Sequence, residues 1–228
     1  MVIYLASTLA VLWLAYRSPG EISAAAHRQS HWPDKHVTAA AAITGLIYGI
    51  YNVGLVTILA YGPLMLAERG WTFAAASSVT SLVLWVVTIS LPLGGVLADR
   101  TGRRATVLVG GLLAYAATMA LAPRADEAVV LTFLALGIAS GLPCGAIMSL
   151  PTPALRPETR AVGMGVLFSV YYTMNVCGPW LVGLLAERAG SAQFAFDVTA
   201  ISILIAIALW VVFRQLAGPR LAEKRLMP

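Results

Sequence analysis

Long apolar runs separated by short polar gaps set the pattern of this chain. Six runs fall at about 38–67, 74–98, 105–122, 128–150, 161–186 and 193–213. Each is close to or beyond the roughly 20 apolar residues that a membrane-crossing helix needs. A seventh run, 1–16, is apolar but covers only about 24 Å at 1.5 Å per residue, short of the ~30 Å hydrocarbon core. It reads as part of a helix. Nothing positive precedes Arg17, so the run lacks the basic start of a signal peptide. Segment 17–37 carries Pro, Gly, Ser and three His and reads as a linker, and 214–228 reads as a polar tail. The pattern predicts an all-α membrane protein: a partial helix, a linker, a six-helix unit over 38–213 and a tail.

Composition sharpens this picture. Of 228 residues, 59% are hydrophobic and 11% charged. An ordinary soluble domain carries roughly a quarter charged residues. A soluble globular protein, a disordered chain and a nucleic-acid binder are therefore excluded. The net charge of +5 does not form a basic face, because the Lys and Arg residues lie in short clusters between the runs. Taken alternately, the gaps are lopsided. One set holds Arg17, Arg28 and Lys35; Arg100, Arg103 and Arg104; Arg156 and Arg160; and Arg214, Arg220, Lys224 and Arg225. The other set holds only Arg69, Arg124 and Arg188. An excess of Lys and Arg marks the cytoplasmic side. The first set, with the C-terminus, is expected there, as in a bacterial-type inner membrane. Cys144 and Cys177 fall inside apolar runs and read as small packing residues.

Between the second and third long runs stands PLGGVLADRTGRRATVL. Asp99 is a carboxylate at the membrane boundary and needs a partner, which adjacent arginines or the positive end of a helix can supply. Gly102 permits a tight turn. Arg103 and Arg104 can pair with carboxylates or lipid phosphates. Such a charge cluster suits a latch that breaks when helices rock. Gly95, Leu97, Ala98, Asp99, Arg100, Gly102, Arg103 and Arg104 match every fixed position of G-x-L-A-D-R/K-x-G-R-R/K. The segment resembles the signature loop of the major facilitator superfamily.

That resemblance implies a secondary transporter of two six-helix halves that works by alternating access. The loop follows the second long run after a linker, which resembles the C-terminal half. An N-terminal six-helix half is then implied, in the same chain or a separate one. LRPETRAVGMG resembles the family's linker before the helix at 161–186, with Glu158 and Arg160 as latch partners. NVCGPWLVG places Gly178 and Pro179 inside that helix, where proline removes a backbone hydrogen bond and predicts a kink. The Gly-Pro pair falls in helix eleven, not in helix five as in the family's antiporters, so it does not mark an antiporter.

Carriers of this kind bind substrate near the bilayer midplane. Tyr48 and Asn52 are four apart and share a helix face, as do Tyr171 and Asn175. The two amides are costly to expose to lipid, so all four residues are expected to line a cavity wall. Hydrogen bonding between helices is the alternative use of such groups. No charged residue or histidine stands at mid-depth in any run, so a proton-coupling group is not expected in this half.

Other classes fit poorly. A serine protease acting in the membrane could use Ser140, but every histidine lies in the linker and no base is at hand. A retinal protein lacks a mid-membrane lysine. His27, His31, Asp34 and His36 have partial metal spacing but sit in a polar linker with Pro33. No cofactor or metal is expected. The rival from outside transport is a transport-inactive half-carrier or split-carrier subunit. The sequence leaves the identity of the small-molecule substrate open.

Overall fold

A computed structural model describes residues 33–150 and 159–223, with side chains as far as Leu216. The partial helix at 1–16, most of the linker, His27, His31, Glu158 and the last five residues lie outside the described residues.

Six helices appear: α1 (Lys35–Glu68), α2 (Phe73–Thr101), α3 (Arg104–Leu121), α4 (Val129–Ser149), α5 (Arg160–Ala189) and α6 (Ala192–Glu223). A 3₁₀ turn, Ala122–Arg124, follows α3. No strand occurs among the described residues. All six helices are long and apolar enough to cross a membrane, so the expectation of an all-α membrane protein holds.

The helix ends follow local chemistry. Thr72 caps α2 by accepting a hydrogen bond from the Ala75 amide at 3.3 Å. Gly102 ends α2 in the left-handed conformation, φ 63°, which an L side chain resists. Two boundaries differ from the sequence pattern. The first turn of α1 takes in residues 35–37, assigned above to the linker. The last helix runs past Phe213 to Glu223, into the stretch read as a tail. Apolar runs mark the membrane's thickness, whereas helix hydrogen bonding continues wherever the backbone permits it. Arg214 helps at the crossing, with its guanidinium 5.1 Å from the ring centre of Trp210.

Close approach at small residues fixes the bundle. With α4, α2 runs parallel: Gly137 faces Val83 and Val86, Gly141 faces Ser90, and Gly145 faces Gly95. Ser90 Oγ donates to the Gly137 carbonyl at 3.0 Å across this seam. The glycine face at 137, 141 and 145 is thus a packing face, as small residues provide in membranes. In the same way α1 and α5 run parallel, with Gly45 against Leu167, Gly49 against Met174 and Gly178 against Val53. By contrast α1 and α6 are antiparallel, joined by a buried Thr57–Thr199 hydroxyl contact at 3.2 Å and by the Ala192 amide donating to Glu68.

These pairings make a core of α1, α2, α3, α4 and α6, centred on Tyr51, Leu112, Tyr115, Phe133 and Phe196. Helix α5 lies outside that ring on α1, with lesser contact to α6. Only 11% of its most apolar 18-residue stretch is buried, against 56% for α1 and for α4.

Candidate functional site

Two features carry the chemistry: an aromatic and amide cluster at mid-helix, and the charged turn between α2 and α3.

The cluster arises because α1 and α5 run parallel in register. Their 34 and 30 residues place both Asn52 and Asn175 at the helix midpoints. One turn earlier on each helix stands a tyrosine. The Tyr48 and Tyr171 rings stack, with centres 4.4 Å apart and planes 16° apart. Asn52 Nδ2 donates to the Tyr48 carbonyl at 3.4 Å, and Asn175 Nδ2 to the Tyr171 carbonyl at 2.9 Å. The two helices repeat one device, a Tyr-x-x-x-Asn step with the amide turned back on the previous turn. Each amide has two N–H donors and a carbonyl oxygen, and this bond uses one donor. Asn52 also faces the Tyr48 hydroxyl, so its amide sits between backbone and ring oxygen of the same residue. The structure therefore brings together all four residues singled out at mid-depth, and across α1 and α5 they meet through the tyrosine rings, not through a bond between the asparagines.

Pro179 adds to this spot. A helical amide at 179 would bond the carbonyl at 175, and proline has none. The Asn175 carbonyl therefore lacks the usual helical donor at 179. Despite Pro179, α5 is unbroken from Arg160 to Ala189. Gly178 serves packing instead, since a Cβ there would meet the Val53 side chain.

Neighbouring residues extend the cluster. Phe168 sits edge-on to Tyr171 at 6.2 Å, and Tyr172 edge-on to Tyr171 at 4.9 Å. Phe168, Met148 and Met164 line a small cavity of about 20 Å³ beside Tyr48. The sequence reading missed Phe168, although its i, i+3, i+4 spacing to Tyr171 and Tyr172 is a readable helical face.

The charged turn is compact. Thr101 Oγ1 donates to the Leu97 carbonyl at 2.6 Å and accepts from the Arg103 amide at 3.4 Å. Arg104 Nη2 meets Asp99 Oδ1 at 2.8 Å, with both side chains more than half exposed. An exposed pair of this kind contributes about 0.2–1 kcal/mol, so it breaks easily. Arg100, Arg103 and Arg160 form no ion pair among the described residues. Arg160, at the start of α5, does not reach Asp99.

The opposite ends of the helices are tied differently. Arg69 bonds the Ala125 carbonyl at 3.0 Å and approaches Asp126 at 3.6 Å, and Arg124 grips Asp197 through both carboxylate oxygens, at 2.7 and 3.2 Å. Two of the three arginines on that side are thereby matched by local carboxylates, while the signature turn keeps cations to spare.

Comparison with known proteins places the whole bundle in a family. A family model described as Major Facilitator Superfamily matches residues 37–226. A protein of Agrobacterium vitis named as a putative tartrate transporter is 24% identical over 184 residues, which are 79% of this chain and 40% of that protein. An Arabidopsis thaliana protein, probable anion transporter 4, chloroplastic, is 26% identical over 184 residues, 77% of this chain and 34% of its own length. A rice protein, probable anion transporter 3, chloroplastic, is 32% identical over 158 residues, 66% of this chain and 30% of its own. The chain thus spans less than half the length of the curated relatives it matches. With the signature turn, the six spanning helices and the family match in agreement, this chain is a membrane protein of the major facilitator superfamily, a transporter family.

Proposed function

We propose that this chain supplies one wall of a secondary transporter that moves a small organic anion by alternating access. The observation that carries the reading is the pair of Tyr-x-x-x-Asn steps at the midpoints of α1 and α5. Their side-chain amides offer donors and acceptors at mid-depth, where carriers bind. The stacked tyrosines give an apolar platform beside them. The names of the relatives, tartrate and anion transporters, support a small hydroxylated or carboxylated solute.

Such a wall needs an opposite one. Along α2 and α5, Trp85, Ile89, Tyr172, Val176 and Trp180 are each at least 62% exposed. An N-terminal six-helix half covers this face in our reading. No charged residue stands in the middle of a described span, so the cation facing an anionic substrate comes from that half as well. The same observation favours a second reading, a half-carrier that is inactive by itself. In both, the Gly102 turn and the C-terminus face the cytoplasm of a bacterial-type inner membrane. The surplus of Lys and Arg at that end supports this side. Asp99, Arg100, Arg103 and Arg104, with Glu158 and Arg160, act there as the latch between the two access states.

Uptake of labelled tartrate by cells tests both readings, with the chain expressed alone or together with the N-terminal half of a full-length relative. Uptake is expected only with both halves. Asn52→Ala and Asn175→Ala are each expected to lower it at least tenfold at unchanged membrane level. Full uptake in both variants would remove the cavity assignment.

A further inference from the structure

A crevice of about 540 Å³ opens between α3 and α6, helices that carry none of the tyrosine cluster. Alanines make the space: Ala117 and Ala120 on α3 and Ala200 on α6 leave a channel walled by Leu113, Ile201 and Leu204. At its end stand Arg124 and Asp197. From Arg124 down to Leu113 is eleven residues, roughly 16 Å along the helix. One leaflet of a ~30 Å hydrocarbon core is about 15 Å deep. The crevice thus runs from a charged head at the membrane boundary to the level where an acyl chain ends.

We propose that this crevice holds one phospholipid whose headgroup carries both a phosphodiester and a primary ammonium, as in phosphatidylethanolamine. The charges argue for that head. Arg124 has five N–H donors. One of its nitrogens, Nη1, bonds the Ala120 carbonyl and Asp197, and Nη2 bonds Asp197, which leaves one Nη2 hydrogen and the Nε hydrogen. Those two form a fork suited to phosphate oxygens. Asp197 keeps lone pairs for an ammonium. The side chains are 51% and 28% exposed at the crevice mouth, so both can be reached. A purely anionic head would set a second negative charge beside Asp197. A choline head matches the charges but has no N–H to donate. The assignment stands apart from the substrate reading, because α3 and α6 carry none of the tyrosine cluster.

Native mass spectrometry of the purified chain tests it, in micelles doped equally with palmitoyl-oleoyl phosphatidylethanolamine, phosphatidylcholine and phosphatidylglycerol. A one-to-one adduct with the ethanolamine lipid is expected, retained at least fivefold over the other two. Arg124→Gln is expected to cut retention at least fivefold. Ala117→Leu fills the crevice at an exposed position without disturbing the core, and it should do the same. Equal retention of the three lipids, or an adduct that survives Ala117→Leu, would overturn the proposal.

Discussion

Single side chains divide into those that pay for their burial with a bond and those that do not. Thr57, Ser90 and Thr199 are buried and each hydroxyl is bonded. Tyr51 and Tyr115 are also buried, ring edge to ring face at 5.9 Å, yet the Tyr115 hydroxyl has no hydrogen-bond partner among the described residues. A buried hydroxyl without a partner carries its desolvation cost uncompensated, about 1–3 kcal/mol. Tyr115→Phe is therefore expected to leave stability unchanged or to raise it, as measured by thermal unfolding in detergent. The position offers a sharper check through Gly54, where a Cβ would strike the Tyr115 hydroxyl. Gly54→Ala is expected to cost about 1–3 kcal/mol, as overpacking does. Tyr115→Phe in the same protein should recover part of that loss. Independent, additive effects would show that the two residues do not meet.

At the level of helices, two adjacent glycines make opposite predictions. A Cβ on Gly94 would run into the Leu142 backbone, which cannot step aside. Gly94→Ala is expected to destabilise the fold by about 1–3 kcal/mol, read as lost yield of folded protein after detergent extraction. Gly95 belongs to the signature motif, yet a Cβ there meets nothing within 4 Å among the described residues. Gly95→Ala is expected to fold normally. If uptake falls while folding holds, the glycine serves an element that packs on α2 from outside this bundle. The six spans were legible from sequence because each apolar run is a direct record of bilayer thickness. The extension of α6 to Glu223 was not, since Gly218-Pro219 is ordinary stop chemistry and the helix passes through it. Pro179 lies inside a continuous helix as well, since a spanning helix tolerates proline when neighbouring helices hold it.

Across the whole molecule, the unequal burial of the helices is the main finding. Helix α5 packs on α1 and to a lesser extent on α6, and both α5 and α2 carry large exposed apolar side chains. In our reading those side chains meet the other half and must slide on it, so the contacts at the Gly102 turn have to be breakable. Asp99→Asn is expected to leave thermal stability within about 1 kcal/mol, because an exposed pair contributes no more. It should lower tartrate uptake at least tenfold if the turn is a latch. A large loss of stability, or unchanged uptake, would assign the motif to topology alone.

The spans, the charge asymmetry and the signature turn were determined by the sequence alone. Each is a local property, set by apolar length, by counting Lys and Arg, or by a glycine at positive φ next to a carboxylate. Tyr48, Asn52, Tyr171 and Asn175 were also named from local spacing, but spacing within one helix says nothing of what faces it. Only the tertiary structure put α1 beside α5 in parallel register, stacked the two tyrosines and turned each amide onto its own helix. It alone opened the Arg124–Asp197 crevice. Those outcomes depend on which small residues let which helices approach, and the partners in each contact lie more than a hundred residues apart for Tyr48 and Tyr171 and 73 for Arg124 and Asp197.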